Sequence, residues 1–168
     1  MKPDLFWIPG PWPGRLAVVT RPRGGDWLED EASGWRRAGL DAVVSLLEPG
    51  EAAQLGLLEE DRAAEANDIR FICFPIPDRG VPASDIAAAS LIAVISGLLE
   101  SGKNVAVHCR QGIGRSGLIA AAVLVASGML ADRAIDVVSS ARKLVIPETQ
   151  DQLQWVLRSH ALSATVTG

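Results

Sequence analysis

The sequence predicts an α/β fold: a mostly parallel central sheet of about five strands, flanked by helices and closed by further helices at its C-terminal end. Three observations carry this. Short β-branched runs alternate with helical segments through the middle of the chain. The run Val105–His108 has the continuous apolar character of a strand covered on both faces. Beyond Leu118 only helical patterns remain.

Taken in order, Phe6–Ile8 and Leu16–Val19 read as two strands separated by the turn-forming stretch Pro9-Gly10-Pro11-Trp12-Pro13-Gly14. Residues Asp26–Ala38 read as a helix stopped by Gly39. Ala42–Leu46 is a strand, and Glu51–Asn67 is helical with a break near Gly56. Arg70–Phe74 is a strand ended by Pro75 and Pro77. Ser84 and Asp85 cap a long helix that runs to Glu100 and stops at Gly102. Val105–His108 leads through a glycine-containing loop into an apolar helix over Leu118–Ser127. Helices over Leu130–Lys143 and Glu148–His160 finish the chain. Residues 1–168 are expected to form a single domain, a size that supports a substantial core.

Composition excludes several classes. The chain is 48% hydrophobic and 21% charged, with a net charge of −4, so nucleic acid is not expected as a partner. The longest apolar run near the loop, Leu118–Ala126, is too short to span a membrane. Met1-Lys2-Pro3-Asp4 opens no signal peptide, which predicts a cytoplasmic protein. Two cysteines and two histidines, scattered along the chain, form no zinc or disulfide framework; no metal and no cofactor are expected. Arginine far outnumbers lysine and alanine is abundant, a composition that suggests a GC-rich bacterial genome.

The chemistry is concentrated in His108-Cys109-Arg110-Gln111-Gly112-Ile113-Gly114-Arg115-Ser116-Gly117. A loop that runs into a helix N-terminus leaves several backbone N–H groups without helical partners, and these bind anions. A cysteine on the floor of such a loop is ionised by its surroundings and becomes a nucleophile. Gly112-Ile113-Gly114-Arg115-Ser116-Gly117 also fits the dinucleotide pattern G-x-G-x-x-G. That pattern requires a following strand with an acidic residue, and only helices follow here. A Walker loop is excluded because no Gly-Lys-Ser/Thr occurs.

His-Cys-x5-Arg-Ser resembles the signature loop of the protein tyrosine phosphatase superfamily, on its compact dual-specificity side. The resemblance extends to Phe74-Pro75-Ile76-Pro77-Asp78 with Val81-Pro82, which is similar to the general-acid loop of that family. It extends also to Ile146-Pro147-Glu148-Thr149-Gln150-Asp151-Gln152, which resembles the segment flanking the pocket. The resemblance implies a metal-independent phosphomonoester hydrolase working through a phosphocysteine. In it Cys109 is the nucleophile, Arg115 the phosphate fork, Asp78 the general acid and later base, and Ser116 the donor to the sulfur.

Arg110, Gln111, Gly112, Ile113 and Gly114 complete the phosphate-binding loop. His108 orders the loop from behind or is a satisfied core residue. Glu148, Gln150 and Gln152 compete for the role of placing the hydrolytic water. Arg79 and Arg110 are either solvated or hold an anionic substrate at the rim. Cys73 is expected in the core, and Trp7 and Trp12 are expected to pack inward.

The chain lacks length for pocket-deepening loops, which favours phosphotyrosine with phosphoserine and phosphothreonine in proteins. The alternative is a phosphoinositide or inositol phosphate. Further readings are a phosphate-binding module without turnover and a sulfur-transfer or arsenate-reducing enzyme. A monomer is expected.

Overall fold

The computed structural model describes residues 3–167, with side-chain surroundings given through residue 160. Its centre is a five-stranded sheet in the order β1-β2-β5-β3-β4, made of Leu5–Ile8, Leu16–Val19, Ala42–Ser45 (β3), Arg70–Cys73 (β4) and Val105–His108 (β5). β1 pairs with β2 antiparallel; every other pairing is parallel. The mostly parallel sheet read from the sequence is the sheet observed. β5 enters last and lies between β2 and β3, buried along its whole length.

Helices cover both faces. α1 (Leu28–Arg37), preceded by a 3-10 turn at Gly25–Trp27, and α3 (Glu60–Ala66) lie on one face, where Trp35, Ala32 and Ala64 pack on Ala17, Val43 and Ala106. The other face carries α4 (Asp85–Glu100), α5 (Arg115–Ala126), α6 (Ala131–Arg142) and α7 (Gln150–Thr167), packed on Leu16, Val18, Val44, Val105 and Val107. The split follows from the two-residue period of a strand. Along β5, Val105 and Val107 face one layer while Ala106 faces the other.

Several boundaries have local causes. Ser84 Oγ accepts from the Ala87 N–H at 3.1 Å and starts α4 as expected. α2 (Pro49–Gln54) starts with proline at its first turn and a reciprocal cap between Glu48 and Glu51. The central helix departs from expectation: α5 begins at Arg115, three residues before the apolar run at Leu118. Gly114 is its cap, so Arg115 and Ser116 sit in its first turn. α7 likewise starts at Gln150 rather than Glu148.

Cys73 corrects the sequence reading. It is exposed, because β4 is an edge strand with a sheet neighbour on one side only. Trp12 is buried, and Trp7 packs partly against the α1/α3 layer. No described helix is long and apolar enough to cross a membrane.

Candidate active site

The C-terminal ends of the parallel strands β3, β4 and β5 converge on a pocket of about 200 Å³, lined by Asp78, Arg79, Cys109, Arg110, Gln111, Gly114, Arg115 and Glu148. Ligands in open α/β sheets bind at this end of the strands. β5 delivers Cys109, and alternation sends its side chain to the side opposite His108.

The loop then curls. Gly112 adopts φ +71°, a conformation glycine enters without the strain a side chain brings, and Ile113 anchors the turn against the core. Arg110 and Gln111 face solvent at the mouth.

Cys109 Sγ lies 3.2 Å from Ser116 Oγ. Burial opposes ionisation of the thiol. The Ser116 hydroxyl, the amides of Ser116 and Gly112, and the charge of Arg115 together outweigh burial and hold the thiol below its ordinary range. The surroundings of this buried sulfur thus favour its anion, with the amides of Ser116 and Gly112 directed at it.

Arg115 is 2% exposed, and its guanidinium is fixed from behind. Nη1 donates to Glu51 Oε1 at 2.6 Å and to the Ile76 carbonyl at 2.9 Å; Nη2 donates to Glu51 Oε2 at 2.9 Å. This two-pronged pairing sets the plane of the guanidinium. Nη2 also donates to Asp78 Oδ1 at 3.2 Å, so Asp78 reaches the pocket through Arg115. Burial works against the guanidinium charge, and Glu51 with Cys109 and Asp78 more than offsets it.

The loop of Asp78 is strapped to the segment that precedes α7. Arg79, at φ +62°, donates to Glu148 Oε1 at 3.1 Å. Gln152 Nε2 donates to the Gly80 carbonyl at 3.0 Å, while its Oε1 accepts from the N–H groups of Glu148 and Thr149, both at 3.1 Å. Gln152 is buried and engaged in the capping box of α7, where Thr149 Oγ1 accepts from the Gln152 N–H at 3.2 Å, whereas Glu148 lines the pocket. Gln150 is exposed and is not among the pocket-lining residues.

Three residues absent from the sequence reading complete the site. Glu51 is the partner of Arg115. Arg142 is buried; its Nε donates to the Gly112 carbonyl at 2.6 Å and its Nη2 to the Gln111 carbonyl at 3.3 Å. It thereby fixes two carbonyls of the loop from the side of α6. Glu60 meets His108 Nε2 at 2.5 Å on the opposite face of the sheet. The signal for Glu60 was a carboxylate in the stripe formed by Ala63 and Ala64; Glu51 and Arg142 gave none beyond a helix-capping pattern and a basic last turn.

A buried thiol whose surroundings favour its anion, sharing a pocket with a fixed guanidinium at the end of a parallel strand, is the arrangement expected of a cysteine-based phosphatase. The comparisons agree. The family "Polymorphic toxin system, DSP-PTPase phosphatase" matches residues 18–129. The chain belongs to this family and is a cysteine-based hydrolase of the protein tyrosine and dual-specificity phosphatase class.

Protein tyrosine phosphatase domain-containing protein 1 of Mus musculus is 38% identical over 124 residues, covering 68% of this chain; the match spans only 16% of that relative's length. The structure of Tk-PTP in its active form is 30% identical with a TM-score of 0.78, covering 95% of this chain and 97% of that one. Kinase associated phosphatase superposes with a TM-score of 0.88 over 98% and 97% of the two chains at 16% identity, a likeness of fold.

Proposed function

We propose that the chain is a single phosphatase domain that hydrolyses phosphomonoesters in proteins, phosphotyrosine first and phosphoserine or phosphothreonine as well, through a phosphocysteine and without a metal. The observation that carries this is one pocket lined by both the Arg115 guanidinium and Cys109, whose thiol is held low by Ser116, the Gly112 amide and Arg115. Cys109 Sγ attacks phosphorus in line. Arg115 and the loop amides from Arg110 to Gly114 take the equatorial oxygens and the charge that spreads over them. Asp78 gives its proton to the departing ester oxygen. Water then attacks the phosphocysteine, Asp78 takes the proton of that water, and the sulfur leaves toward the Ser116 hydroxyl as inorganic phosphate departs.

The rim favours a single phosphate over a polyanionic headgroup. Arg79 is matched by Glu148 at 3.1 Å, and Arg110 lies 4.0 Å from Glu51. Arg79 is therefore not left as a free second cation site, and Arg110 at the mouth shares with Arg115 the single carboxylate of Glu51. The fold likeness to PTPMT1 solved with PI(5)P keeps the lipid reading as the alternative arm of the test.

The test is turnover of a panel of phosphopeptides and phosphoinositides in excess EDTA, beside Cys109→Ser. Phosphopeptides are expected to turn over with at least tenfold higher kcat/KM than the lipids, and the variant is expected to be inert. Faster lipid turnover would reverse the substrate assignment; activity restored only by magnesium would overturn the metal-free scheme. The same reading makes the protein a cytoplasmic monomer, which elution at dimer mass would correct.

A further inference from the structure

His108 lies behind the nucleophile, on the face of the sheet that Cys109 does not share. It is fully buried, and Glu60 is nearly so. Both ring nitrogens meet oxygen acceptors: Nε2 faces Glu60 Oε1 at 2.5 Å, and Nδ1 faces the Cys109 carbonyl at 3.3 Å. A carbonyl only accepts, and an ionised carboxylate only accepts. Against an ionised Glu60 a neutral imidazole, with one N–H, satisfies one of them and an imidazolium satisfies both; against a protonated Glu60, whose O–H donates to Nε2, a neutral ring satisfies both, and the state of the ring separates the two arrangements. The Trp35 ring, stacked at 6.3 Å between centroids, encloses the pair from α1.

We propose that Glu60 is a positioning residue for the reaction: it keeps His108 as an imidazolium whose Nδ1–H holds the Cys109 peptide and whose charge favours the thiolate. The inference rests on the assignment of Cys109 as nucleophile. Two effects follow from one contact. The N–H to the Cys109 carbonyl fixes the peptide plane at the entrance of the loop. The positive charge behind the Cys109 peptide, on the opposite face of the sheet, favours the anion of the sulfur, and Glu60 supplies the counter-charge on the side away from the pocket.

The groups around His108 make the assignment specific. From α3 the facing group is Glu60, and from the loop it is Cys109; α1 contributes the uncharged Trp35 and β3 the uncharged Ser45, the sheet neighbour of His108. Cys73 of β4, exposed at the sheet edge, is a further titratable group near Glu60; its partial burial and the charges of Glu60 and Asp61 push its thiol up. Burial works against a charged His108, and the carboxylate of Glu60 reverses that balance.

Two measurements on the full chain test the proposal. The chain has only two histidines, so ¹⁵N-imidazole spectra of the wild type, assigned with His160→Gln, read the His108 ring directly. Both nitrogens are expected to be protonated at pH 7, above the ordinary histidine value of about 6.5. A singly protonated ring at pH 7 overturns the proposal, and this readout needs no variant at residue 60.

The second measurement is the pH dependence of iodoacetate alkylation, followed on the Cys109 peptide, in wild type, Glu60→Gln, Glu60→Asp, His108→Asn and the Glu60→Gln/His108→Asn double variant. Glu60→Gln is expected to move the thiol titration up by about one pH unit, Glu60→Asp to recover part of it, and the double variant to match His108→Asn. An unmoved titration in Glu60→Gln, or a further shift in the double variant, refutes the proposal. Lower stability with an unmoved titration marks Glu60 as merely structural. Nitrophenyl phosphate turnover in the same wild-type preparation is the separate control: its absence sinks the phosphatase reading of Cys109, whereas the ring spectra still decide the state of His108.

Discussion

Glu51→Gln isolates the anchor of the phosphate fork. In the wild type, two charge-assisted hydrogen bonds of 2.6 and 2.9 Å join Glu51 to a guanidinium that is 2% exposed. Glutamine keeps one acceptor, replaces the other with an NH2 that faces the guanidinium, and removes the counter-charge. Loss of one partner of a buried pair costs about 3–5 kcal/mol. Arg115 retains the Ile76 carbonyl at 2.9 Å and Asp78 at 3.2 Å, which places the cost at the lower end, about 3 kcal/mol. In a domain of this size that is a fall in Tm of about 6–12 °C.

The pH dependence supplies a second reading of the same contact. The Arg115 hydrogen bond, more than any other influence, holds the Glu51 carboxyl below its ordinary value. Stability from a lowered carboxyl is complete above the unfolded value of about 4.3 and is lost as pH falls through the lower folded value. Protonated glutamate and glutamine are near-isosteres, so the Tm gap between wild type and variant should be full at pH 7 and should close well below pH 4. The assay is calorimetry from pH 3 to 7, with kcat/KM at pH 7 falling at least tenfold as the fork loses its fixed plane. A gap under about 1 °C at pH 7, or one of constant size down to pH 3, would refute the assignment of Glu51 as the anchor.

Arg142→Met keeps the stem but strips the partners from the Gly112 and Gln111 carbonyls; at about 1–3 kcal/mol for each buried acceptor, it should lower stability measurably and weaken vanadate binding, read by calorimetry and inhibition. Asp78→Asn should slow phosphotyrosine hydrolysis by about 10²–10⁴, yet slow nitrophenyl phosphate much less, since nitrophenolate leaves without needing a proton; equal losses on the two substrates would assign the acid elsewhere. Gly114→Ala places a Cβ 3.0 Å from Glu148 Oε2 and from Gln152 Oε1, and should lower kcat/KM by about ten- to a hundredfold by displacing the strap on the Asp78 loop, with a smaller effect on Tm.

The parts of this molecule that could be read from sequence are those built from neighbouring residues. The strand into Cys109, the curl at Gly112 and the return of Arg115 and Ser116 over the sulfur are contiguous, so their spacing carried their geometry. The parallel sheet was legible for the same reason: strand–helix alternation admits few arrangements.

What escaped lies far along the chain. Glu51 reaches Arg115 across 64 positions, Glu60 reaches His108 across 48, and Arg142 reaches Gly112 across 30. Glu51 and Arg142 look like ordinary solvated helix residues until the sheet brings them inward, and Glu60 is marked only by its place in the stripe of Ala63 and Ala64. The start of α5 was misplaced because the apolar pattern begins at Leu118, whereas the hydrogen-bonded turn begins at the cap, Gly114. Cys73 was misplaced because an apolar strand does not reveal whether it lies at the centre or at the edge of its sheet.

Glu51 and Arg142 share an electrostatic logic. A site for a phosphate dianion needs positive charge close to a thiolate, yet a cation taken out of water costs several kcal/mol. Arg115 is buried to 2% exposure, and its charge is answered by Glu51 on the side away from the sulfur. Arg142 gives its donors to loop carbonyls, which turns its charge into loop geometry rather than a direct ion contact. The field at the sulfur is therefore made by groups already held in place before an anion arrives, as preorganised catalysis requires. A chain of net charge −4 can hold such a site because its cations are local and individually anchored.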